Sequence, residues 1–279
     1  DEYFRKSTSR ACLVFLSYDS HSSNHDASSF FDSLTKRQHL ANFLFLKAEC
    51  PENKICDTIK TNQRPSFVVV PSRARKSAKV YDFDDRTSLS ANLNPNIQKP
   101  LSKKELFDAS NKTSEGGAVF HLFVPDERDP LLEEYRELSV LSSFTQTSFL
   151  YSLSSRSKPM LIYKPSPGCI IPINDINGKL GSLIRTRLTG HFGRSTSDDW
   201  RLSYAEGSIF TAVIDRQPNQ EMKEKLQRIS QYTCNKLEYH LAYKEDFKEL
   251  MPELRMSKAN TLVLVDKDRD CLFQISLEN

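Results

Sequence analysis

Apolar positions along this chain come as short blocks with longer polar stretches between them. The spacing inside each block separates strand from helix. Residues 11–18 (ACLVFLSY) are apolar almost without a break and predict a buried strand. The polar loop DSHSSNHDASS follows. Phe30, Phe31 and Leu34 then mark a short amphipathic helix ending near Leu40. Residues 43–47 and 66–70 predict two strands, the second rich in β-branched side chains. Residues 79–83 (KVYDF) alternate as a strand able to form a hairpin with residues 66–70. Residues 84–93 predict a short closing helix. The stretch 94–100 (NPNIQKP) is rich in turn residues and predicts a loop at a domain boundary.

The same order then returns. Residues 102–111 predict a helix with a capping box, Ser102 with Glu105. Residues 118–124 (AVFHLFV) predict a strand. Residues 129–144 predict a helix with Leu131, Leu132, Tyr135, Leu138 and Leu141 on one face. Strands at 147–153, 160–163 and 170–173 and a helix at 180–188 complete the second pass. Only residues 154–158 separate its second and third strands, so one helix of the motif is missing there. The third pass has a strand at 209–214 and a helix at 221–233 carrying Met222, Leu226 and Ile229 at i, i+4 and i+7. A strand at 237–243, a helical stretch at 244–256 broken by Pro252, and a hairpin of 261–265 with 271–275 follow. A final helix is absent. The expected units are residues 1–98, 99–196 and 197–279, each of ordinary domain size.

Composition narrows the function classes. Lys+Arg 39 against Asp+Glu 36 leaves +3. That balance argues against a dedicated nucleic-acid binder, whose positive charge is concentrated. No apolar run approaches the roughly 20 residues that span a bilayer. The chain opens at Asp1 without an apolar leader and reads as the mature part of a protein, with its targeting signal elsewhere. The 8 glycines form no phosphate-cradling loop, and no cofactor is expected.

The 6 cysteines include no CxxC. Cys12, Cys169, Cys234 and Cys271 lie in apolar strands or on helix faces and read as small buried thiols. Cys50 and Cys56 are different. On one straight helix their Cα atoms would stand about 9 Å apart, beyond the roughly 7 Å that a disulfide spans. A turn at Pro51 permits a local bridge, which for so small a loop contributes about 2 kcal/mol.

The stretch NFLFLKAECPENKICDTIKTNQRPSFVVV resembles the middle of a thioredoxin-like domain of the protein disulfide isomerase family. The matching residues are Cys50, Cys56 and the Arg64-Pro65-Ser66 step. The resemblance implies a structural Cys50–Cys56 disulfide and a cis-proline at Pro65, with Pro159 its counterpart in the second unit. It implies an α/β fold of three tandem thioredoxin-like domains, each a mixed sheet flanked by helices. In that family the catalytic dithiol sits in the loop after the first strand. Here the redox positions fall near Ser20 to Ser23, and a serine hydroxyl does not exchange with a disulfide. Oxidoreductase activity is therefore not expected, and no catalytic residue is assigned.

No other catalytic constellation replaces it. His21 and His25 lack a third ligand at metal-binding spacing and read as solvated loop histidines. Asp198-Asp199 beside Trp200 reads as an exposed turn before a partly buried ring. The basic turn 71–76 (PSRARK) reads as a charged hairpin tip. The resemblance implies a non-catalytic protein of the endoplasmic reticulum lumen or secreted, binding unfolded or partner polypeptides. The alternative is a thioredoxin-like region of a larger secretory enzyme of sulfhydryl oxidase or glycoprotein glucosyltransferase type. Phe210, Met222, Tyr239 and Tyr243 are the candidate peptide-binding residues, with core packing the simpler account of them. Asn111 opens a glycosylation sequon, Asn111-Lys112-Thr113.

Overall fold

The computed structural model describes the chain outside residues 1–10, 19–21, 42, 54, 57–58, 60–63, 71–77, 101, 103, 106–116, 146, 156–157, 186, 189, 192–199, 201–208, 216–217, 235–237, 245–257, 259, 267, 270 and 278–279. Ser20, His21, Asn111, Asp198, Asp199, the 71–76 turn and all but the first residue of the 244–256 helix therefore lie outside the described residues.

Three mixed sheets carry the fold. The first is built from β1 (Cys12–Tyr18), β2 (Leu44–Cys50), β3 (Ser66–Val70) and β4 (Lys79–Asp82), with helices α1 (Asn24–Thr35) and α2 (Arg86–Asn92). The two-residue strand β5 (Ile97–Gln98) falls where the sequence predicts a loop. The second sheet is built from β6 (Val119–Val124), β7 (Ser148–Leu153), β8 (Met160–Ser166) and β9 (Cys169–Ile173). Helix α3 (Pro130–Ser139) lies between β6 and β7 in the chain, and α4 (Leu180–Arg185) follows β9. The third is built from β10 (Ile209–Ile214), β11 (Glu238–Tyr243), β12 (Thr261–Asp266) and β13 (Cys271–Ser276), with α5 (Gln220–Thr233).

The strand orders are β2-β1-β3-β4, β5-β7-β6-β8-β9 and β11-β10-β12-β13. In each sheet the first long strand pairs parallel with the second and antiparallel with the third. The third pairs antiparallel with the fourth. A parallel neighbour needs a long crossover, and α1, α3 and α5 lie in those three connections.

Side-chain alternation explains why β1 is apolar on both sides. Val14 and Leu16 join Val68, Val70, Ala48 and Cys50 on one face. Phe15 turns to the other, stacked on Phe67 at 5.4 Å and against Phe31 of α1 at 5.7 Å. Helix α1 starts at Asn24, earlier than the apolar repeat suggests. Its first turn, Asn24, His25 and Asp26, is polar and carries no periodic signal, while Ala27, Phe31 and Leu34 form the buried stripe.

The chain divides into two compact units: Asp1–Ile97 with Pro130–Thr145 and Leu180–Arg185, and Gln98–Asp129 with Gln146–Lys179 and Thr186–Asn279. The expected intervals 1–98, 99–196 and 197–279 each contain the four long strands of one sheet. Helices α3 and α4 nevertheless group with the first sheet, because packing and not chain order defines a compact unit. Within that unit Leu132, Tyr135 and Leu138 of α3 are buried. The Gly181 amide donates to Glu134 at 3.1 Å and joins α4 to α3.

In the second unit, Phe120 packs between Phe149 at 5.7 Å and Tyr163 at 5.1 Å. Trp200 is fully buried among Ile209, Val213, Ala242, Val263 and Val265, and its Nε1–H donates to Thr211 Oγ1 at 2.9 Å. The other face of the third sheet packs Ala212, Ile214, Leu241 and Leu262 on Leu226 of α5. Asn219 caps α5, its Oδ1 accepting from the Met222 amide at 2.9 Å. Ser102 and Glu105 make the reciprocal pair of a capping box, Ser102 N to Glu105 Oε2 at 2.9 Å and Glu105 N to Ser102 Oγ at 3.2 Å.

Candidate functional site

The end of β1 and the start of α1 frame a cleft of about 750 Å³ in the first sheet. Phe15, Ser17, Asn24, His25, Ser28, Lys47, Ala48, Glu49, Glu52 and Asn53 line it. Asn24 holds the junction together. Its side chain accepts from the Tyr18 amide at 3.3 Å and donates to the Tyr18 carbonyl, so strand and helix are tied across the polar loop. Ser23 stands at the N-cap of α1 with no side-chain cap bond. Lys47 crosses one side of the cleft, donating to Ser28 Oγ at 3.1 Å and pairing with Asp32 at 2.9 Å.

Cys50 and Cys56 are bonded to each other, with Cα atoms 5.9 Å apart. Cys50 is buried on the face of the first sheet that carries Val14 and Leu16, with half-buried Ile55 and Ile59 packed against that cluster. The cleft itself is lined by hydroxyl, amide, imidazole, ammonium and carboxylate groups over an apolar floor, Phe15 and Ala48, and no cysteine.

Pro65 and Pro159 were expected to follow cis peptide bonds, and they do not. The cis bond among the described residues is Cys50–Pro51. The trans form is the default even before proline, by roughly 0.5–1 kcal/mol. Pro65 and Pro159 lead directly into the extended backbone of β3 and β8.

Of the candidate peptide-binding residues Phe210, Met222, Tyr239 and Tyr243, three lie where the core-packing account puts them. Tyr239 is 4% exposed and sits in the core of the third sheet, with half-buried Met222 and Tyr243 packed against the same cluster. Their spacing reflects burial under α5. The Phe210 side chain lies outside what the structure describes.

Cys169 and Cys234 were expected as buried thiols. They form a second disulfide, with Cα atoms 5.6 Å apart and 65 residues of separation. Periodicity assigns each to its own strand or helix and cannot see a long-range encounter. The available signal was arithmetic: four cysteines beyond the first pair allow three pairings in an oxidising compartment.

A buried polar cluster surrounds this second bridge in sequence, and sequence reasoning missed it. His191 Nδ1 lies 2.6 Å from Ser230 Oγ and 3.4 Å from Ser166 Oγ, and the two hydroxyls are 2.6 Å apart. Gln231 Nε2 donates to the Pro167 carbonyl at 3.0 Å. Gly190 passes so close to the backbone of Gly117 that a Cβ there would overlap its carbonyl oxygen. Burial, then the neighbouring His240, lowers the His191 pKa to about 3. A neutral imidazole with both serines is the arrangement of a nucleophile and base. Ser166, His191 and Ser230 are all buried, and their mutual hydrogen bonds satisfy polar groups inside the core. In the second sheet, His121 donates to or accepts from Ser152 Oγ at 2.9 Å, and burial lowers its pKa to about 4.

Among the described residues no group of three or more His, Cys, Asp or Glu side chains is placed to hold a metal ion. No helix among them is long and apolar enough to cross a membrane.

No family model and no curated protein matches the chain in sequence. Solved structures do match in shape. The chain is similar to the zinc-bound form of human ERp44, at 10% identity and a TM-score of 0.43, over 98% of this chain and 83% of that one. It is similar to form II of ERdj5, at 12% identity and a TM-score of 0.27, over 99% of this chain and 39% of that one. The first two thioredoxin domains of Naumovozyma dairenensis Eps1p match at 10% identity and a TM-score of 0.28, over 66% of this chain and 92% of that one. Within the molecule itself, one order of the four long strands and one pattern of parallel and antiparallel pairing recur in all three mixed sheets, on sequences that share little else.

Proposed function

We propose that this chain is a non-catalytic, protein disulfide isomerase-like protein of the secretory pathway that binds unfolded or partner polypeptides. The observation that carries the proposal is the cleft at the β1–α1 junction. Ser17, Asn24, His25 and Ser28, which line it, flank in sequence the Ser20–Ser23 stretch where the resemblance implies an exchanging dithiol. Two disulfides support a lumenal or secreted location, since stable bridges belong mainly to oxidising compartments.

The test uses reduced, carboxymethylated lactalbumin as an unfolded client, followed by fluorescence anisotropy. Ser28→Phe fills the cleft from a half-buried position and is expected to weaken binding about tenfold, equivalent to roughly 1.4 kcal/mol. The chain is also expected to leave an insulin disulfide unreduced in the presence of glutathione. Client binding unchanged by Ser28→Phe would remove the cleft from the mechanism. Turnover of insulin would overturn the non-catalytic reading.

A further inference from the structure

Asparagine precedes glycine once in the chain, at Asn177-Gly178. The pair lies between β9 and α4 in a turn that the Lys179 amide closes by donating to the Ile176 carbonyl at 3.1 Å. Ile176 is buried and anchors the turn, whereas Asn177, Gly178 and Lys179 are exposed. Gly178 has a φ of +68°, and a Cβ placed on it would meet nothing within 4 Å. Its backbone is uncrowded.

The groups that matter chemically are unengaged. Neither the Asn177 carboxamide nor the Gly178 N–H makes a hydrogen bond to a described residue. Other asparagine side chains are held: Asn24 by Tyr18, Asn53 by the Ile55 amide, Asn92 by Tyr81 and Asn219 by the Met222 amide. Asn174, three residues earlier, is also exposed and unheld, but Asp175 follows it and brings a side chain against the next amide.

We propose that Asn177 is a site of spontaneous modification, in which the Gly178 nitrogen attacks the Asn177 side-chain carbonyl carbon. The nitrogen gives its proton to solvent, the N–Cγ bond forms, the Cγ–Nδ2 bond breaks and ammonia leaves. Water then opens the cyclic imide at one carbonyl or the other, leaving aspartate or isoaspartate. The net reaction consumes one water, releases one ammonia and changes no oxidation state. Reacting groups on one short tether meet at a high effective concentration, and glycine sets no side chain in the path of the attack. One turn hydrogen bond and the exposed Asp175–Lys179 ion pair at 2.5 Å restrain the rotation it needs, and an exposed pair holds weakly. The product carries a carboxylate in place of a neutral amide, and isoaspartate lengthens the main chain by one carbon. That form is what an S-adenosylmethionine-dependent isoaspartyl carboxyl methyltransferase accepts. The inference does not rest on the polypeptide-binding reading.

The experiment incubates the full chain at 37 °C, at pH 6 and at pH 8, with two readouts. Peptide mapping by mass spectrometry follows the amide-to-acid exchange at each asparagine. Methyl uptake from labelled S-adenosylmethionine, with a purified isoaspartyl methyltransferase, follows isoaspartate. Conversion at Asn177 is expected to run about tenfold or more faster than at Asn174. It should yield isoaspartate as well as aspartate and speed up at pH 8, where the attacking nitrogen loses its proton more readily. Aspartate tolerates the left-handed backbone, so Gly178→Asp keeps the turn and should slow conversion about tenfold. Asn177→Gln should remove most of the methyl uptake. Both positions are exposed, and circular dichroism checks that each variant keeps its fold. Equal conversion at Asn174 and Asn177, aspartate without isoaspartate, or methyl uptake that survives Asn177→Gln overturns the proposal.

Discussion

The first and third sheets share strand order and register but are closed by different means. In the first, the bridge is local: Cys50 and Cys56 are 6 residues apart and fasten one turn to the strand before it. The chain then finishes with α2, whose Leu89 is fully buried, and Asn92 Nδ2 reaches the hydroxyl of Tyr81 on β4 at 3.1 Å. In the third, the bridge is long: Cys234, at the C-cap of α5, is fastened to Cys169, on β9 of the second sheet. The same topology is therefore fastened within its own segment in one place and to a neighbouring sheet in another. The stabilising devices are not part of the fold and can be placed wherever the sequence puts two cysteines or a helix.

The largest test of this contrast removes the bridges one at a time. The chain-entropy relation gives about 4 kcal/mol for a loop the length of Cys169–Cys234 and about 2 kcal/mol for Cys50–Cys56. Cys169→Ala with Cys234→Ala should lower stability about twice as much as Cys50→Ala with Cys56→Ala. Urea denaturation followed by far-UV circular dichroism measures both variants, and Trp200, the chain's single tryptophan, buried in the third sheet, reports the Cys169–Cys234 variant separately by fluorescence. Equal losses would break the comparison.

Acid sharpens it further. His121 and His191 both lie in the second unit, and burial lowers their pKa values to about 4 and about 3. In the unfolded chain each returns to about 6.5. Below that value the unfolded state binds protons that the folded state refuses, so stability falls as pH drops from about 6.5 toward 4. Above about 6.5 these two groups contribute no pH dependence. The slope should be about 1.4 kcal/mol per pH unit for each histidine. His191→Gln should remove about half of it in urea melts between pH 6 and pH 4.5. An unchanged slope would show that His191 takes up a proton without unfolding.

The smallest effect concerns the helix entrance. Asn219→Ala deletes the cap of α5 and should cost about 1 kcal/mol, seen as an earlier Trp200 transition. Client binding at the β1–α1 cleft should not change, because that site draws on the first sheet alone. A loss of cleft binding would show that the third sheet supports the first.

Much of this architecture was legible in the sequence. Ser66–Val70 and Ile209–Ile214 form strands at the bounds that their apolar runs predict, since a run of β-branched residues flanked by polar ones is a local signal. The alternation of residues 79–83 predicted the hairpin for the same reason, one residue longer than the strand Lys79–Asp82 that forms. What stayed hidden depends on distant partners. Cys169 and Cys234 look like ordinary apolar positions until 65 residues of chain bring them together. Ser166, His191 and Ser230 are single polar residues in three separate elements and have no motif between them. Tyr239 and Met222 left both core packing and docking open in the sequence, because a buried stripe and a binding stripe share one periodicity. The candidate cleft was legible in part: the missing cysteines could be read directly, whereas Lys47 and Asn53 come to it from β2 and from the turn after it.

The Cys169–Cys234 bond also sets how the molecule responds to force. A chain drawn out from its two ends gains roughly 3.3–3.6 Å for each residue released. The 65-residue span closed by this bond would yield more than about 200 Å of extra length. While the bond is intact none of that length is available, and tension passes directly from β9 to the end of α5. A reductant would appear in a single-molecule trace as the sudden appearance of a long extension step, whereas the Cys50–Cys56 bond conceals a span of only 6 residues.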